Sequence, residues 1–232
     1  MKGVKFGNIH TYEKWGLFLN HTEINFPDPK KEKVDIPGSD GNLDFSRSLT
    51  GDIKYNNRVI SFEFTTVENY DKWKSLMSEI ANSIHGQHFD KIILDEDSSY
   101  YYVGEVELNQ FKSDGNLGKI VIDCDVEPYK YDLTTSDEDW LWDPFNFEDG
   151  IINETKDMVV SGTLEIKIYG RRKRVVPKFV CNTSMQLIFN SVTYNLSSGT
   201  NYSPDIEIVE GENKLKFVGN GKVTVEYRGG SL

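Results

Sequence analysis

Between two strand-like runs, Trp15-Gly-Leu-Phe-Leu19 and Tyr55-Asn-Asn-Arg-Val-Ile-Ser-Phe-Glu-Phe64, the chain inserts a stretch that cannot build a core of its own. It reads Val34-Asp-Ile-Pro-Gly-Ser-Asp-Gly-Asn-Leu-Asp-Phe-Ser-Arg-Ser-Leu-Thr-Gly51. Pro37-Gly38 sets up one tight turn, because Pro holds φ at about −65° and Gly accepts positive φ. Asp40-Gly41 sets up a second, of the kind that joins hairpin strands. Few large apolar groups lie between. A segment that is ordered by turns yet has little to bury projects from its domain and meets its partner elsewhere. We therefore expect an arm over residues 28–51, making subunit contacts through Val34, Ile36, Pro37, Asp40, Leu43, Phe45 and Leu49.

Short runs of Val, Ile, Thr and aromatic residues dominate the rest, which is strand composition. Residues 4–26 read as two strand-like runs, ended by Pro27 and Pro29. Over 53–65, Val59, Ser61, Glu63 and Thr65 alternate with Ile60, Phe62 and Phe64, the mark of a half-buried strand. One helix is expected, over 67–84. Thr65 or Thr66 with Glu68 has the form of a capping box, and Gly86 after His85 supplies the stop. Tyr70, Trp73, Leu76, Met77, Ile80 and Ile84 make one apolar stripe, wide enough to lie against a sheet. Two hairpins follow, turning at Asp95–Ser99 and at Ser113-Asp-Gly-Asn116. Beyond residue 157 come strands at 158–169, 175–181, 184–196, 205–209, 213–218 and 222–228, a β-sandwich pattern without a helix. Gly219-Asn-Gly221 reads as the turn between the last two.

With 232 residues the chain can form one large β domain or two smaller ones, with a core that needs no metal or disulfide. Residues 131–157 hold nine acids and one base, a composition that marks a solvated domain edge. We therefore divide the chain into 1–131, an acidic linker over 132–157, and a second β-sandwich over 158–232, which 140–157 can extend. The net charge of −11 argues against electrostatic capture of nucleic acid or of an anionic membrane. No apolar run follows Met1-Lys-Gly-Val-Lys, so neither a signal peptide nor a membrane helix is expected. Cys124 and Cys181 lie in apolar runs and read as buried, reduced thiols.

No motif for chemistry survives inspection. Asp95-x-Asp97-x-Ser99 starts like a calcium loop, but Tyr100 and Val106 stand where the motif needs Gly and a bidentate acid. His10, His21, His85 and His88 include no H-x-x-x-H pair and have no cysteine near them. There is no G-x-S-x-G, and no pair of acids is singled out by its setting. No catalytic residue, cofactor site or metal site is assigned. Arg171-Arg-Lys-Arg174, the one basic run, has three readings: a phosphate or receptor site, a solvated connection between strands, or an ion-pair contact with the acidic linker. Trp140, Trp142, Phe145 and Phe147 cluster inside that linker, where aromatics stack on a sugar or, the plainer reading, anchor a domain or subunit edge.

The order W-G-L-x-L at 15–19, V-D-I-P-G-x-D-G-x-L-D at 34–44, L-T-G at 49–51 and Y-x-x-R before F-x-F at 55–64 resembles the distal tail protein of long-tailed phages of Gram-positive bacteria. His85-Gly86, Glu127-Pro-Tyr-Lys-Tyr131, Trp142-Asp-Pro-Phe-Asn-Phe147 and the ending Tyr227-Arg-Gly-Gly-Ser-Leu232 extend the resemblance over nearly the whole chain. It implies a mainly β fold: an N-terminal β-sandwich with one α-helix and an extended hairpin arm, then a C-terminal galectin-like β-sandwich. It further implies a homo-hexameric ring in the virion tail, made in the host cytoplasm. Such a ring joins the major tail protein of the tube to the baseplate or tip, with its tail-associated lysin, tail fibre or receptor-binding protein. After residue 157 the chain has no His and no Trp, so the galectin sugar site is not expected. Two other classes stay open: a carbohydrate- or receptor-binding module of the host-adsorption device, and a cell-wall hydrolase.

Overall fold

Alternation sets the first sheet. In the computed structural model, residues 2–48, 50–66, 70–113, 117–139, 150–151 and 154–232 are described. The chain forms two compact units: Met1–Asp97 with Tyr101–Lys130 and Leu232, and Ser98–Tyr100 with Tyr131–Ser231. In chain order the first unit builds β1 (Val4–Phe6), β2 (Ile9–His10), α1 (Thr11–Trp15), β3 (Phe18–Ile24), β4 (Lys33–Asp35), β5 (Asn42–Asp44), β6 (Arg58–Thr66), α2 (Tyr70–Ile84), β7 (Gln87–Leu94), β8 (Tyr100–Ser113) and β9 (Gly118–Val126). Strands run in the order β2-β1-β7-β8-β9-β6-β3 with antiparallel neighbours. Ile60, Phe62 and Phe64 of β6 face inwards opposite Cys124, Ile122 and Ile120 of β9. Helix α2 lays Ile80 and Ile84 into the same core, and Trp73 packs edge-on against Phe111 at 6.1 Å. Its stop is as expected: Gly86 takes φ 67°, and its N–H bonds the Val106 carbonyl at 2.8 Å.

The second unit adds β10 (Lys130–Asp132), β11 (Met158–Gly170), β12 (Lys178–Cys181), β13 (Met185–Phe189), β14 (Val192–Leu196), β15 (Gly199–Tyr202), β16 (Gly211–Glu226) and β17 (Gly230–Ser231). Its sheet has the order β14-β13-β16-β12-β15, with β11 also paired to β16. Phe179 and Phe217 meet edge to face at 6.1 Å in a core with Leu187, Ile206, Ile208, Val223 and Val225. The fold class is the expected one: mainly β, with a helix-bearing N-terminal part, a hairpin arm and a C-terminal sandwich.

Four local expectations are overturned. The run 4–26 is not simply two strands, because α1 interrupts it; His10 Nδ1 accepts the Glu13 N–H and Gly16 closes the turn at φ 64°. The run 184–196 is a hairpin, turning at Asn190 and Ser191 with φ 49° and 66°. Residues 205–209 form no strand, only an isolated bridge from Ile208 to Val175. Most informative, Gly219-Asn-Gly221 is no turn: β16 runs straight through it. Before the glycines β16 pairs with β13, and after them with β12. A Cβ on Gly221 would meet Thr183 Oγ1 at 2.1 Å, and one on Gly219 would meet Met185 Cβ at 2.9 Å. The glycines make room for the connection between β12 and β13, which crosses there.

Candidate assembly surface

The arm is a two-stranded ribbon. Its strands β4 and β5 pair Lys33↔Asp44, Val34↔Leu43 and Asp35↔Asn42. Side chains alternate between faces, so Val34 and Leu43 share one face, and Ile36 and Phe45 continue it. These four are 47, 50, 40 and 42 % exposed. Lys33, Asp35, Asn42 and Asp44 occupy the other face. The tip is closed by Ser39 N–H to Ile36 O at 3.1 Å, with Gly38 and Gly41 at φ 88° and 76°. Side-chain and backbone hydrogen bonds from Ser46 hold the Asp44 carboxyl below its ordinary pKa. The root is fastened by Lys30 N–H to Lys54 O, Asn56 N–H to Asp28 O and the bridge Pro29↔Tyr55. Pro37 and Asp40 lie in the exposed tip, whereas Leu49 lies outside the described residues. A lone ribbon has no second layer, so its apolar face stays bare on the single chain.

The outward face of the first unit's sheet is acidic. Glu23 of β3, Ser61 of β6, Asp123 of β9 and Glu107 of β8 stand in one cross-strand row. Val59, Asp125 and Glu105 make the next. Ser61 and Asn109 both hydrogen-bond Asp123, and Glu63 holds Lys119. Two directly opposed pairs, Glu107 with Asp123 and Glu105 with Asp125, carry like charge. Such pairs are destabilising, so local stability alone does not account for them.

At the root of the arm, Arg58 opens β6 on its core-facing side and is 4 % exposed. Its guanidinium lies 5.0 Å over the Tyr102 ring, and its Nε and Nη2 are buried without a hydrogen-bond partner. Burial lowers its pKa from the ordinary arginine value, with Tyr102 acting the other way. The alternation through β6 places Arg58 on the same face as Ile60, Phe62 and Phe64, so its position was legible while its stacking on Tyr102 was not.

In the second unit the basic run is consumed internally. Arg171 grips Asp132 with Nε to Oδ2 at 2.9 Å and Nη2 to Oδ1 at 2.8 Å, donates to Tyr100 Oη at 3.1 Å, and lies 5.3 Å over that ring. Lys173 donates to Tyr131 Oη at 2.7 Å. Arg172 and Arg174 sit beside Glu210 and Glu207 at 3.8 and 3.4 Å. Two of the three readings of 171–174 hold together: the run lies in the connection between β11 and β12, and Arg171 makes the ion pair with the acidic segment, at Asp132. Lys173 N–H to Gly230 O and Asp132 N–H to Gly229 O tie in the chain's ending. Trp140, Trp142, Phe145 and Phe147 lie outside the described residues, as do Glu68 and residues 114–116 of the expected turn.

The residues weighed for chemistry are used in holding the fold. Asp95 accepts the Gly3 N–H at 2.7 Å and bonds His10 Nε2 at 3.0 Å, and Asp97 pairs with Lys130 at 2.8 Å. Cys124 is fully buried, and burial with nearby Asp123 pushes its thiol well above the ordinary range; burial raises Cys181 too. Among the described residues no group of three or more His, Cys, Asp and Glu is placed to hold a metal ion. No helix among them is long and apolar enough to cross a membrane.

Fold and surface together define an arm-bearing, mainly β protein whose conspicuous surfaces suit contact with other chains. In three dimensions it is similar to the SPP1 Dit (gp 19.1) protein, a paradigm of the hub adsorption apparatus in phages infecting Gram-positive bacteria. The TM-score is 0.67 over 98 % of this chain and 99 % of that one, at 13 % identity. The chain thus has the Dit fold. The phage p2 baseplate in its activated conformation with Sr is similar at a TM-score of 0.37 and 10 % identity, over 99 % and 97 % of the two chains, which is too slight to weigh. No protein-family profile and no curated protein matches the sequence.

Proposed function

We propose that this chain is a structural hub of a phage's distal tail. It assembles through its arm into a closed ring of six copies, between the tail tube's major tail protein and the tip structures that carry the lysin and the receptor-binding or fibre proteins. It acts as an adaptor and performs no chemistry. The observation that carries the reading is the arm: a ribbon with Val34, Ile36, Leu43 and Phe45 bare on one face, on a chain with the Dit fold. A ribbon of this kind gains stability from a second layer, and head-to-tail contacts of one kind form a ring when the rotation between neighbours closes. In this reading residues 1–131 form the ring, 132–157 the acidic edge, and 158–232 the outer sandwich. The acidic outward face of β3, β6, β9 and β8 supports it, since a lumen that passes DNA must not hold phosphate. Deleting residues 30–48 tests the proposal. The wild type is expected to form rings by electron microscopy and native mass, and the deletion variant to stay a folded single chain. Rings formed without the arm would refute it.

A further inference from the structure

Besides the arm, the far end of β3 leaves large apolar groups bare. Ile24 stands opposite Ile60 of β6, yet Ile24 is 41 % exposed while Ile60 is fully buried. Two residues on, Phe26 is 87 % exposed, the most of any large apolar side chain among the described residues. Clustered apolar groups in water mark surfaces that receive another surface, and aromatic anchors dominate such contacts. β3 is also the end strand of its sheet. Asn25 N–H bonds the Val59 carbonyl at 3.2 Å, so by antiparallel alternation the backbone groups of Thr22 and Ile24 point away from β6. Among the described residues no strand pairs with that side. A free edge beside apolar side chains is a template for a second chain.

The arm is the matching piece. Its bare face sets Val34 and Ile36 two residues apart on one side of the ribbon and Leu43 and Phe45 two apart on the other, the spacing of Ile24 and Phe26. The chain's own arm leaves this place open. Asn56 N–H to Asp28 O, Lys30 N–H to Lys54 O and the bridge Pro29↔Tyr55 hold the ribbon at its root, and with these formed Phe26 stays in water. The arm of another copy has the reach. Nine residues separate Phe26 from Asp35, which stands between Val34 and Ile36, an extended span of roughly 30 Å. A unit of roughly 130 residues is about 35 Å across, and equivalent points on ring neighbours lie about one such diameter apart. One head-to-tail contact, arm on β3 end, then uses both bare surfaces of every copy and leaves neither over when the ring closes.

We propose that Ile24, Phe26 and the free edge of β3 are the seat on which the arm of a second copy of this chain lays Val34, Ile36, Leu43 and Phe45. The proposal rests on the ring reading above. It is tested on the full chain by the melting temperature under dilute, unassembled conditions and by the concentration at which rings form. Phe26→Asp is expected to leave the melting temperature unchanged, because the ring is already in water on the single chain. It should raise the assembly concentration at least tenfold, whereas Phe26→Leu, which keeps an apolar group, should assemble nearly as the wild type does. A second measurement reads the contact itself. Cys124 and Cys181 are buried, at 0 and 2 % exposure, so thiols placed on the surface are oxidised without interference from them. Phe26→Cys combined in turn with Val34→Cys, Ile36→Cys, Leu43→Cys or Phe45→Cys is expected to give, in at least one pair, covalent multimers up to ring size on a denaturing gel. Each single-cysteine variant should not exceed a dimer. Normal rings from Phe26→Asp, or no multimer from any of the four pairs while rings form, would overturn the seat and leave the ring standing. A wild-type chain that stays single at every concentration would overturn both.

Discussion

Arg171 and Arg58 each lie over a tyrosine ring, at 5.3 and 5.0 Å, and each is nearly sealed from water, with 9 % of the Arg171 side chain and 4 % of Arg58 exposed. Around Arg171 the chain supplies everything the guanidinium needs: both Asp132 oxygens and the Tyr100 hydroxyl. Around Arg58 it supplies, among the described residues, only the ring. Desolvating an ion costs several kcal/mol unless a partner in good geometry offsets it. The first site is therefore a finished joint whose contribution is measurable in a single chain. The second carries an uncompensated cost in the single chain, at the root of an arm that has no core. The same residue type over the same kind of ring is thus completed by a carboxylate in one unit and, among the described residues, left without one in the other.

The largest expected effect falls on the finished joint. Asp132→Ala leaves Arg171 buried and unpaired, and should lower the stability of the second unit by about 3 kcal/mol, the scale for breaking a buried pair. Urea unfolding followed by far-ultraviolet dichroism measures it. A loss below about 1 kcal/mol would mean that Asp132 is only a surface partner, and the contrast with Arg58 would collapse. Next come the two phenols. Tyr100→Phe removes an acceptor of Arg171 and should cost about 1 kcal/mol, while Tyr102→Phe leaves the ring over Arg58 intact and should cost less than about 0.5 kcal/mol. Equal losses would show that both hydroxyls serve their arginines alike.

Much of the fold was legible because its signals are local. The stripe Trp73, Leu76, Met77, Ile80 and Ile84, the alternation through β6, and the Gly86 stop each lie within one helix or strand. The arm was legible for the opposite reason: turn residues with too little between them to bury. Where the reading went wrong, the cause lay at a distance. Gly219 and Gly221 look like turn glycines, and only the Thr183 and Met185 side chains packed over them show why the strand continues. The Asn190-Ser191 turn was missed because neither residue is glycine, although both take positive φ. Of the assembly surface, the arm's apolar face was visible as a pattern. The stacking of Arg58 on Tyr102 and the capture of Arg171 by Asp132 depend on contacts that no spacing along the chain reveals.

The smallest effect separates buried from exposed ion pairs within the second unit. On β11 and β16, Lys216 meets Glu165 at 2.7 Å and Lys167 meets Glu212 at 3.0 Å, all at the surface. Hydrogen bonds from Lys216 and Lys167 hold the two glutamate carboxyls below their ordinary pKa, and Lys167 is raised by Glu212. A carboxyl depressed in the folded state adds stability above its unfolded value of about 4.3, and that stability is lost as pH falls through the lower folded value. Glu165→Gln should therefore give a small drop in melting temperature at pH 7 that shrinks as pH falls below about 4. In about 1 M salt the screening length is about 3 Å, so the drop at pH 7 should vanish. The Asp132→Ala deficit, from a pair that solvent ions barely reach, should survive the same salt. If both deficits disappear together, Arg171 is paired no more firmly than a surface lysine, and the distinction between the finished and the unfinished arginine loses its physical basis.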